Sequence, residues 1–201
     1  MIVYVESNFI LEIAHLREEH ENCDRSLNLS VTGEIQLVLP AFSVGEVYEA
    51  QTRRAKRRAE LHGKLNAELG ELARSRPYRD SRDEFMKITK ALVVSGEEEG
   101  QRLDDTVKRV LAAADIIPIE RDTIASAFKL RLTRRLRTQD AIVLASVLAH
   151  LAAAGPKPKC FVTRNSKDFA NPDIVADLGQ SDCELFTSFG EGYGFVIGHS
   201  V

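Results

Sequence analysis

The stretch VYVESNFILEIA, residues 3–14, decides how the start of this chain folds. A short apolar run at residues 2–5 has the length of a buried strand, and it stops at a carboxylate, Glu6. Apolar residues then resume with helical spacing, which predicts a helix over residues 8–30 that is broken near Leu16. The chain therefore ends a buried strand on a charged side chain and begins a helix directly after it.

Strands and helices alternate along the rest of the chain. Further short apolar runs predict strands at residues 35–39, 116–119, 160–162 and 183–187. Ser43 and Glu46 have the spacing of a capping box, which predicts the start of a helix that continues to about residue 75. The segment 76–114 is broken by Pro77 and Gly96 and is predicted to form two further helices. Helices are also predicted from about 122 and over 139–154, and a Gly-rich tail follows the last strand. This alternation implies an α/β fold with a central, mainly parallel sheet flanked by helices.

Composition bounds the class of protein. The 201 residues, 44% hydrophobic and 28% charged, suit one globular domain that spans residues 1–201. The net charge of −3 means that nucleic-acid binding would need a local basic patch. No signal peptide or membrane helix is expected, and the three scattered cysteines form no zinc pattern. A cytoplasmic location is therefore expected.

Four carboxylates on distant segments are candidates to meet at one edge of the sheet. The first ends a strand, the next two lie early in helices, and the last follows another strand. In that order they are Glu6, Glu46, Asp140 and Asp168. Ligands bind outside the carboxyl ends of the strands in open parallel sheets, so these are candidate catalytic and metal-binding residues. Mg²⁺ and Mn²⁺ prefer oxygen ligands of this kind. The chemistry that suits them is metal-assisted attack of water on a phosphodiester.

Four pieces of the chain together resemble a known family. They are VYVESN at 3–8, LVLPAFSVGEV at 37–47, TQDAIVLASVLAH at 138–150 and FVTRNSKDF at 161–169. In this order they are similar to the four motifs of PIN domains, compact α/β nucleases that include many ribonuclease toxins of bacterial toxin–antitoxin pairs. The resemblance implies a metal-dependent endoribonuclease with Mg²⁺ or Mn²⁺ as cofactor and RNA as substrate. It also implies two protein partners, an antitoxin and a second copy of the chain.

The resemblance extends to supporting residues and has two departures. Asn8 matches the first motif, and Thr163 and Asn165 match the last, where they are expected to orient the acidic groups. Glu6 stands where the family usually has aspartate, which keeps the charge but adds a methylene group. The segment from about 52 to 114 is longer than compact PIN toxins need, and we interpret it as a helical insertion.

Each acidic residue also has a purely structural interpretation. Glu6 could cap the helix that follows it, because negative charge is favourable at a helix N-terminus. Glu46 could be the reciprocal half of a capping box with Ser43, and Asp140 could be favourable first-turn charge. Asp168 could cap a short helix. On this interpretation the chain is a catalytically weak PIN-like scaffold that binds RNA or protein.

Two basic runs adjoin the acidic residues. RRAKRR at 53–58 follows Glu46 on the same predicted helix, and KLRLTRRLR at 129–137 leads up to Asp140. Both bring positive charge near the carboxylates, where a nucleic-acid backbone would need it, although a solvated helix face is the alternative. The candidate nucleic-acid contacts are Arg53, Arg54, Arg134, Arg135, Arg137 and Arg164.

A row of leucines recurs at helical spacing within the segment interpreted as an insertion. It consists of Leu61, Leu65, Leu69 and Leu72. The row could pack against the body of the protein or against a second copy, and the sequence pattern allows both.

Overall fold

The computed structural model describes residues 1–199, in which five strands alternate with helices. The strands are β1 (Ile2–Val5), β2 (Gln36–Pro40), β3 (Asp115–Ile117), β4 (Lys159–Val162) and β5 (Cys183–Phe186). The helices are α1 (Ser7–Ala14), α2 (His20–Val31), α3 (Ala41–Leu72), α4 (Arg82–Ala113), α5 (Arg121–Thr133), α6 (Thr138–Ala153), α7 (Ser166–Phe169), α8 (Pro172–Gly179) and α9 (Phe189–Gly198), with a 3-10 turn at Arg76–Ser81. The last two residues of the predicted domain lie outside the described part.

The paired strands are all parallel, which confirms the predicted fold class. Their order is β3-β2-β1-β4-β5, and Tyr4 of β1 pairs with Val38 on one side and Phe161 on the other. The chain moves outward from β1 to β3 and then crosses to β4 on the opposite side of β1. Such a reversal opens a crevice at the carboxyl ends of the two central strands. The residues that follow β1 and β4 therefore border this crevice.

Helices cover both faces of the sheet because side chains along each strand alternate between two hydrophobic cores. Val3 and Val5 belong to a core with α1, α4 and α9, whereas Ile2 and Tyr4 belong to a core with α6 and α8. Tyr4 is fully buried, and its hydroxyl is 2.8 Å from Nδ1 of His150 on α6. Strand β1 is thus held from both sides, which gives the residue after it a defined position.

Helix α3 begins earlier than the capping-box pattern predicts. Pro40 is both the last residue of β2 and the N-cap of α3, with φ of −60° and ψ of 133°, so no loop separates strand from helix. Ser43 therefore lies inside the first turn, and its buried Oγ has no hydrogen-bond partner among residues 1–199. The prediction of a cap at Ser43 is wrong because proline, with its fixed φ, already starts the helix.

Two other boundary predictions are wrong, and one is confirmed. The break near Leu16 is present, and this residue adopts a left-handed φ of 49° between α1 and α2. Gly96 does not interrupt α4, because one glycine costs only about 1 kcal/mol in a helix and α4 packs along α3. The Gly-rich tail forms α9, which begins where the Ser188 hydroxyl accepts hydrogen bonds from the backbone N–H groups of Gly190 and Glu191.

The segment 52–114 forms most of α3, the 3-10 turn and α4. Its last part is not separate from the body, because Leu103, Val107 and Val110 of α4 lie in the same core as β1. That the segment is an insertion stays a prediction. Between residues 1 and 199, no helix combines the length and apolar character needed to span a lipid bilayer.

We predict that Gly192→Ala lowers the free energy of unfolding by about 1–3 kcal/mol. A methyl group at Gly192 of α9 would lie 2.6 Å and 2.8 Å from the two methyl carbons of Val162, so α9 or β4 must move. Gly194→Ala in the same helix is the matched control, since nothing lies within 4 Å of its added carbon. Urea denaturation of both variants measures the difference, and equal stabilities would contradict the close packing of α9 on β4.

Candidate active site

One cleft at the carboxyl edge of the sheet brings the four candidate carboxylates together. Its volume is about 410 Å³, and its lining includes Glu6, Glu46, Asp140 and Asp168. Glu6 directly follows β1, Glu46 lies in the second turn of α3, Asp140 lies in the first turn of α6, and Asp168 lies in the short helix α7. The elements converge because β1, β2 and β4 are parallel neighbours whose carboxyl ends share one edge.

Glu6 is the most tightly held of the four side chains. It is 4% exposed, and each of its carboxylate oxygens accepts two hydrogen bonds. Oε1 accepts from Nδ2 of Asn8 and Oγ1 of Thr163, each at 2.8 Å. Oε2 accepts from Oγ of Ser7 at 2.8 Å and from the backbone N–H of Asn8 at 3.0 Å. The last of these bonds makes Glu6 the N-cap of α1, so the structural interpretation of this residue is also correct.

A continuous chain of hydrogen bonds joins Glu6 to Asp140. Oγ1 of Thr163 donates to Glu6 and accepts from the backbone N–H of Asn165 at 2.9 Å. The side-chain amide of Asn165 then donates to Oδ1 of Asp140 at 3.0 Å. The three residues expected to support the site, Asn8, Thr163 and Asn165, thus all contact a candidate carboxylate. These bonds hold two acidic groups from different segments in fixed relative positions.

Asp140 and Glu46 are both shifted towards the protonated form. Burial raises the pKa of Asp140 to about 6, and the negative charges of Asp168 and Glu6 act in the same direction. Burial also raises the pKa of Glu46, and the charges of Glu6 and Asp140 raise it further. Ser7 is within hydrogen-bonding reach of both Glu6 and Glu46, and its single proton can serve only one of them at a time. The carboxylates therefore repel one another across the cleft.

Comparison with known proteins agrees with this geometry. A sequence model of the PIN domain matches residues 3–169, which is most of the chain. The chain belongs to the PIN domain family. No curated protein sequence and no solved structure matches it significantly. The PIN assignment supports a nuclease-type fold, and PIN domains generally act on RNA or DNA with the help of divalent metal ions.

The donor set of this PIN domain fits a hard divalent cation by its chemistry. The four candidate ligands are carboxylates, and their mutual repulsion is of the kind that a bound cation relieves. Within residues 1–199, however, no three histidine, cysteine or acidic side chains stand close enough together to enclose one ion. The carboxylates line the walls of the cleft without forming a closed cage.

The candidate arginines of the PIN domain separate into two groups. Arg53 and Arg137 line the cleft. Arg54 contacts Glu99, with Nε 3.1 Å from a carboxylate oxygen, and Arg134 donates to both oxygens of Asp177 at 2.8 Å and 2.9 Å. The structure does not bring these two side chains to the cleft.

The remaining two candidate arginines also lie outside the cleft lining. Arg164 donates to Glu12 at 3.3 Å and to Glu18 at 3.1 Å, although its neighbours Thr163 and Asn165 belong to the site. Arg135 is exposed and has a left-handed φ of 55° in the link between α5 and α6. Closeness in sequence to an acidic residue therefore does not decide where an arginine side chain points.

Three polar residues that line the cleft were not singled out from the sequence. They are Ser7, Gln139 and Lys167. Each is directly adjacent in sequence to a candidate carboxylate, so adjacency is the signal that could have found them. Lys167 is exposed and adds a positive charge beside Asp168.

A second cavity, of about 480 Å³, lies between α1, α2 and α4, away from the carboxylates. Some of its charged lining is already paired, since Arg109 is 2.7 Å from Asp24 and Arg25 is 3.4 Å from Glu21. The cleft at the sheet edge, with its unneutralised acids, is therefore the better candidate for chemistry.

Proposed function

We propose that this PIN domain hydrolyses RNA phosphodiester bonds with the help of Mg²⁺ or Mn²⁺. One observation carries the proposal: four carboxylates from four separate segments line a single cleft. Fold stability alone does not require such an arrangement, because the like charges raise the pKa of Asp140 and Glu46 beyond the effect of burial. A function that uses the combined negative charge accounts for it.

The residues of the cleft have distinct roles in this proposal. Glu6, Glu46, Asp140 and Asp168 would hold the divalent ion. When bound, the ion supplies positive charge for the attacked phosphate and makes water more acidic. Asn165 and Thr163 keep Asp140 and Glu6 in position through their hydrogen bonds. Arg53 and Arg137 would bind phosphates on either side of the bond to be cleaved.

A second candidate function is a catalytically weak scaffold that binds RNA or protein. The hydrogen bonding of Glu6 favours it, because four donors already occupy both carboxylate oxygens. An ion could bind Glu6 only if at least one of these donors turned away. The lack of a closed cage among residues 1–199 points in the same direction.

Calorimetric titration with Mn²⁺ separates the two functions. In the nuclease, Glu6→Asp is expected to keep Mn²⁺ affinity within a few-fold of wild type, whereas Glu6→Gln lowers it about tenfold or more. Glu6→Gln also presents an NH₂ group to donors that need an acceptor, so it is expected to lower stability by about 1–3 kcal/mol in either function. Thermal melts in EDTA measure that loss independently of metal.

Glu46→Gln is the second variant of this experiment, because it separates metal affinity from folding. Glu46 is only half-buried and does not hold the network of Thr163 and Asn165. We expect the substitution to leave the melting temperature in EDTA unchanged or higher, and to lower Mn²⁺ affinity and RNA cleavage together. Wild-type Mn²⁺ affinity in both Gln variants would favour the scaffold.

The partners stay predictions. We propose an RNA substrate. DNA is the alternative, and the same cleavage assay with DNA tests it. An antitoxin and a second copy of the chain are proposed from the family resemblance alone. In the leucine row, Leu61 and Leu72 are 45% and 39% exposed, so these two side chains are available to a second copy. Light scattering across a range of concentrations tests the homodimer.

A further inference from the structure

Helix α3 extends the cleft in one direction. Glu46, Ala50 and Arg53 line the cleft from successive turns of this helix, so they define the face that α3 turns towards it. Arg57 is four residues beyond Arg53 and lies on the same face, about 6 Å further along the helix axis. Lys56 is three residues beyond Arg53 and lies beside it. The side chains of Arg53, Lys56 and Arg57 are exposed.

The other two arginines of the run at 53–58 are already paired. Nη1 and Nη2 of Arg58 donate to the two carboxylate oxygens of Glu99 at 2.8 Å and 2.9 Å, and Arg54 contacts the same carboxylate. Ala55 lies beside α4, where it lines a small cavity with Val93 and other residues of that helix. Helix α4 thus packs on the side of α3 away from the cleft, and it leaves the row of Arg53, Lys56 and Arg57 open to solvent.

The positive row is short and has defined ends. Glu60 is three residues beyond Arg57 on the same face and is exposed, so the row covers about one helical turn before a negative charge interrupts it. Near the cleft, Arg53 is paired with Glu49, which lies one turn earlier. The pair is exposed at 55% and 56%, so a phosphate can compete with Glu49 for Arg53.

We propose that Arg53, Lys56 and Arg57 form a track that binds the phosphates of one nucleic-acid strand as it leaves the cleft. This inference rests on the proposed nuclease function, and it names the side chains that hold the strand next to the cleft. Three cations along about one turn on one side of a helix can follow one backbone over about two phosphates. The aromatic side chain in the cleft lining, Phe169, is 1% exposed, so base stacking does not contribute and binding tolerates different sequences.

Fluorescence anisotropy with a labelled 12-nucleotide RNA in EDTA measures binding without cleavage. The double variant Lys56→Ala/Arg57→Ala is expected to bind about tenfold more weakly than wild type, with a salt dependence reduced by about 1.4 in the log–log slope. Lys87→Ala/Lys90→Ala is the control, since it removes two exposed charges from α4 at a distance from the cleft. An equal loss in both double variants would show a general charge effect and overturn the track.

Glu49→Gln provides a test in the opposite direction. It releases Arg53 from its partner, and we expect RNA to bind about two- to threefold more tightly. Glu71→Gln is the control, because Glu71 near the far end of α3 also forms an exposed pair, with Arg74 three residues later. A Glu49 variant that binds no more tightly than the Glu71 variant would contradict a role for Arg53 in the track.

The same assay separates this inference from the proposed function. If the track variants lose binding but wild type shows no Mn²⁺-dependent cleavage, the nuclease function is refuted and the track is supported. Cleavage by wild type with unchanged binding in the track variants, or no RNA binding by wild type at all, would refute the track.

Discussion

Asp140→Asn is expected to lower metal-dependent RNA cleavage by at least about 100-fold. The side chain keeps its size, and its remaining oxygen can still accept the hydrogen bond from Asn165, so the site keeps its shape. The substitution removes one of four carboxylates that would hold a divalent ion. Cleavage of a labelled RNA at saturating Mn²⁺ measures the effect. Asp122→Asn is the control, because Asp122 is exposed in the first turn of α5.

The same substitution is expected to stabilise the metal-free protein at neutral pH. The pKa of Asp140 is about 6 in the folded chain against 3.8 for an ordinary aspartate, so the folded state disfavours the charged form. The free energy of unfolding of the wild type therefore falls as pH rises from about 4 to 6, because Asp140 ionises less readily in the folded state. Above pH 7 this loss of stability is complete. Asparagine removes it, with an expected gain of roughly 1–3 kcal/mol at pH 7 for this partly exposed group.

Thermal melts of both proteins in EDTA at pH 4 and pH 7 measure this difference. The melting temperatures should nearly coincide at pH 4, where Asp140 is mostly protonated in the folded wild type. A variant that cleaves RNA at the wild-type rate would exclude Asp140 from the mechanism. A variant that melts below wild type at pH 7 would contradict the repulsion between the carboxylates.

Glu99→Ala is expected to lower the free energy of unfolding by about 2–4 kcal/mol. Glu99 of α4 is 7% exposed and binds Arg54 and Arg58 of α3. Burial opposes the charge on Glu99, but the hydrogen bond from Arg58 and the charges of both arginines outweigh it and lower the pKa of Glu99. Alanine would leave the mostly buried guanidinium of Arg58 without its carboxylate partner, which is more costly than losing a solvated pair.

The end of α1 takes part in the same cluster. Nδ1 of the buried His15 is 3.8 Å from the Glu99 carboxylate. Burial lowers the pKa of His15 to about 4, although the charge of Glu99 acts in the opposite direction, so the imidazole is neutral at pH 7. Glu99 thus joins α3 and α4, and the neutral His15 lies beside this ion pair. Glu71→Ala, which removes an exposed pair with Arg74, is expected to change stability by less than about 0.5 kcal/mol. Equal effects of the two substitutions in urea denaturation would contradict the special role of Glu99.

The order of strands and helices could be predicted from local patterns. Short apolar runs mark the strands, and parallel strands place their carboxyl ends at one edge of the sheet. This is why the positions of Glu6, Asp140 and Asp168 along the chain were enough to predict that they share a cleft, as they do.

The first and last residues of several helices were decided by competing effects that sequence patterns describe poorly. At the start of α3, the fixed φ of Pro40 prevailed over the capping box of Ser43. At Gly96, packing against α3 prevailed over a low helix propensity. The tail after Ser188 became a helix because its glycine at position 192 allows a close approach to Val162. The outcomes at Gly96 and in the tail depend on contacts with another element, which local patterns do not contain. Pro40 is a local signal, and the prediction was wrong because it followed the capping box instead.

The partners of the charged side chains were decided by the folded structure. Arg54 and Arg58 meet Glu99 from 45 and 41 residues away, and Arg134 meets Asp177 from 43 residues away. A basic run such as residues 53–58 therefore divides between a buried ion pair and an exposed row, because successive helical residues point in different directions. The sequence contains the charges and their helical spacing. The neighbouring helix determines which of them enter the ion pair with Glu99 and which stay exposed.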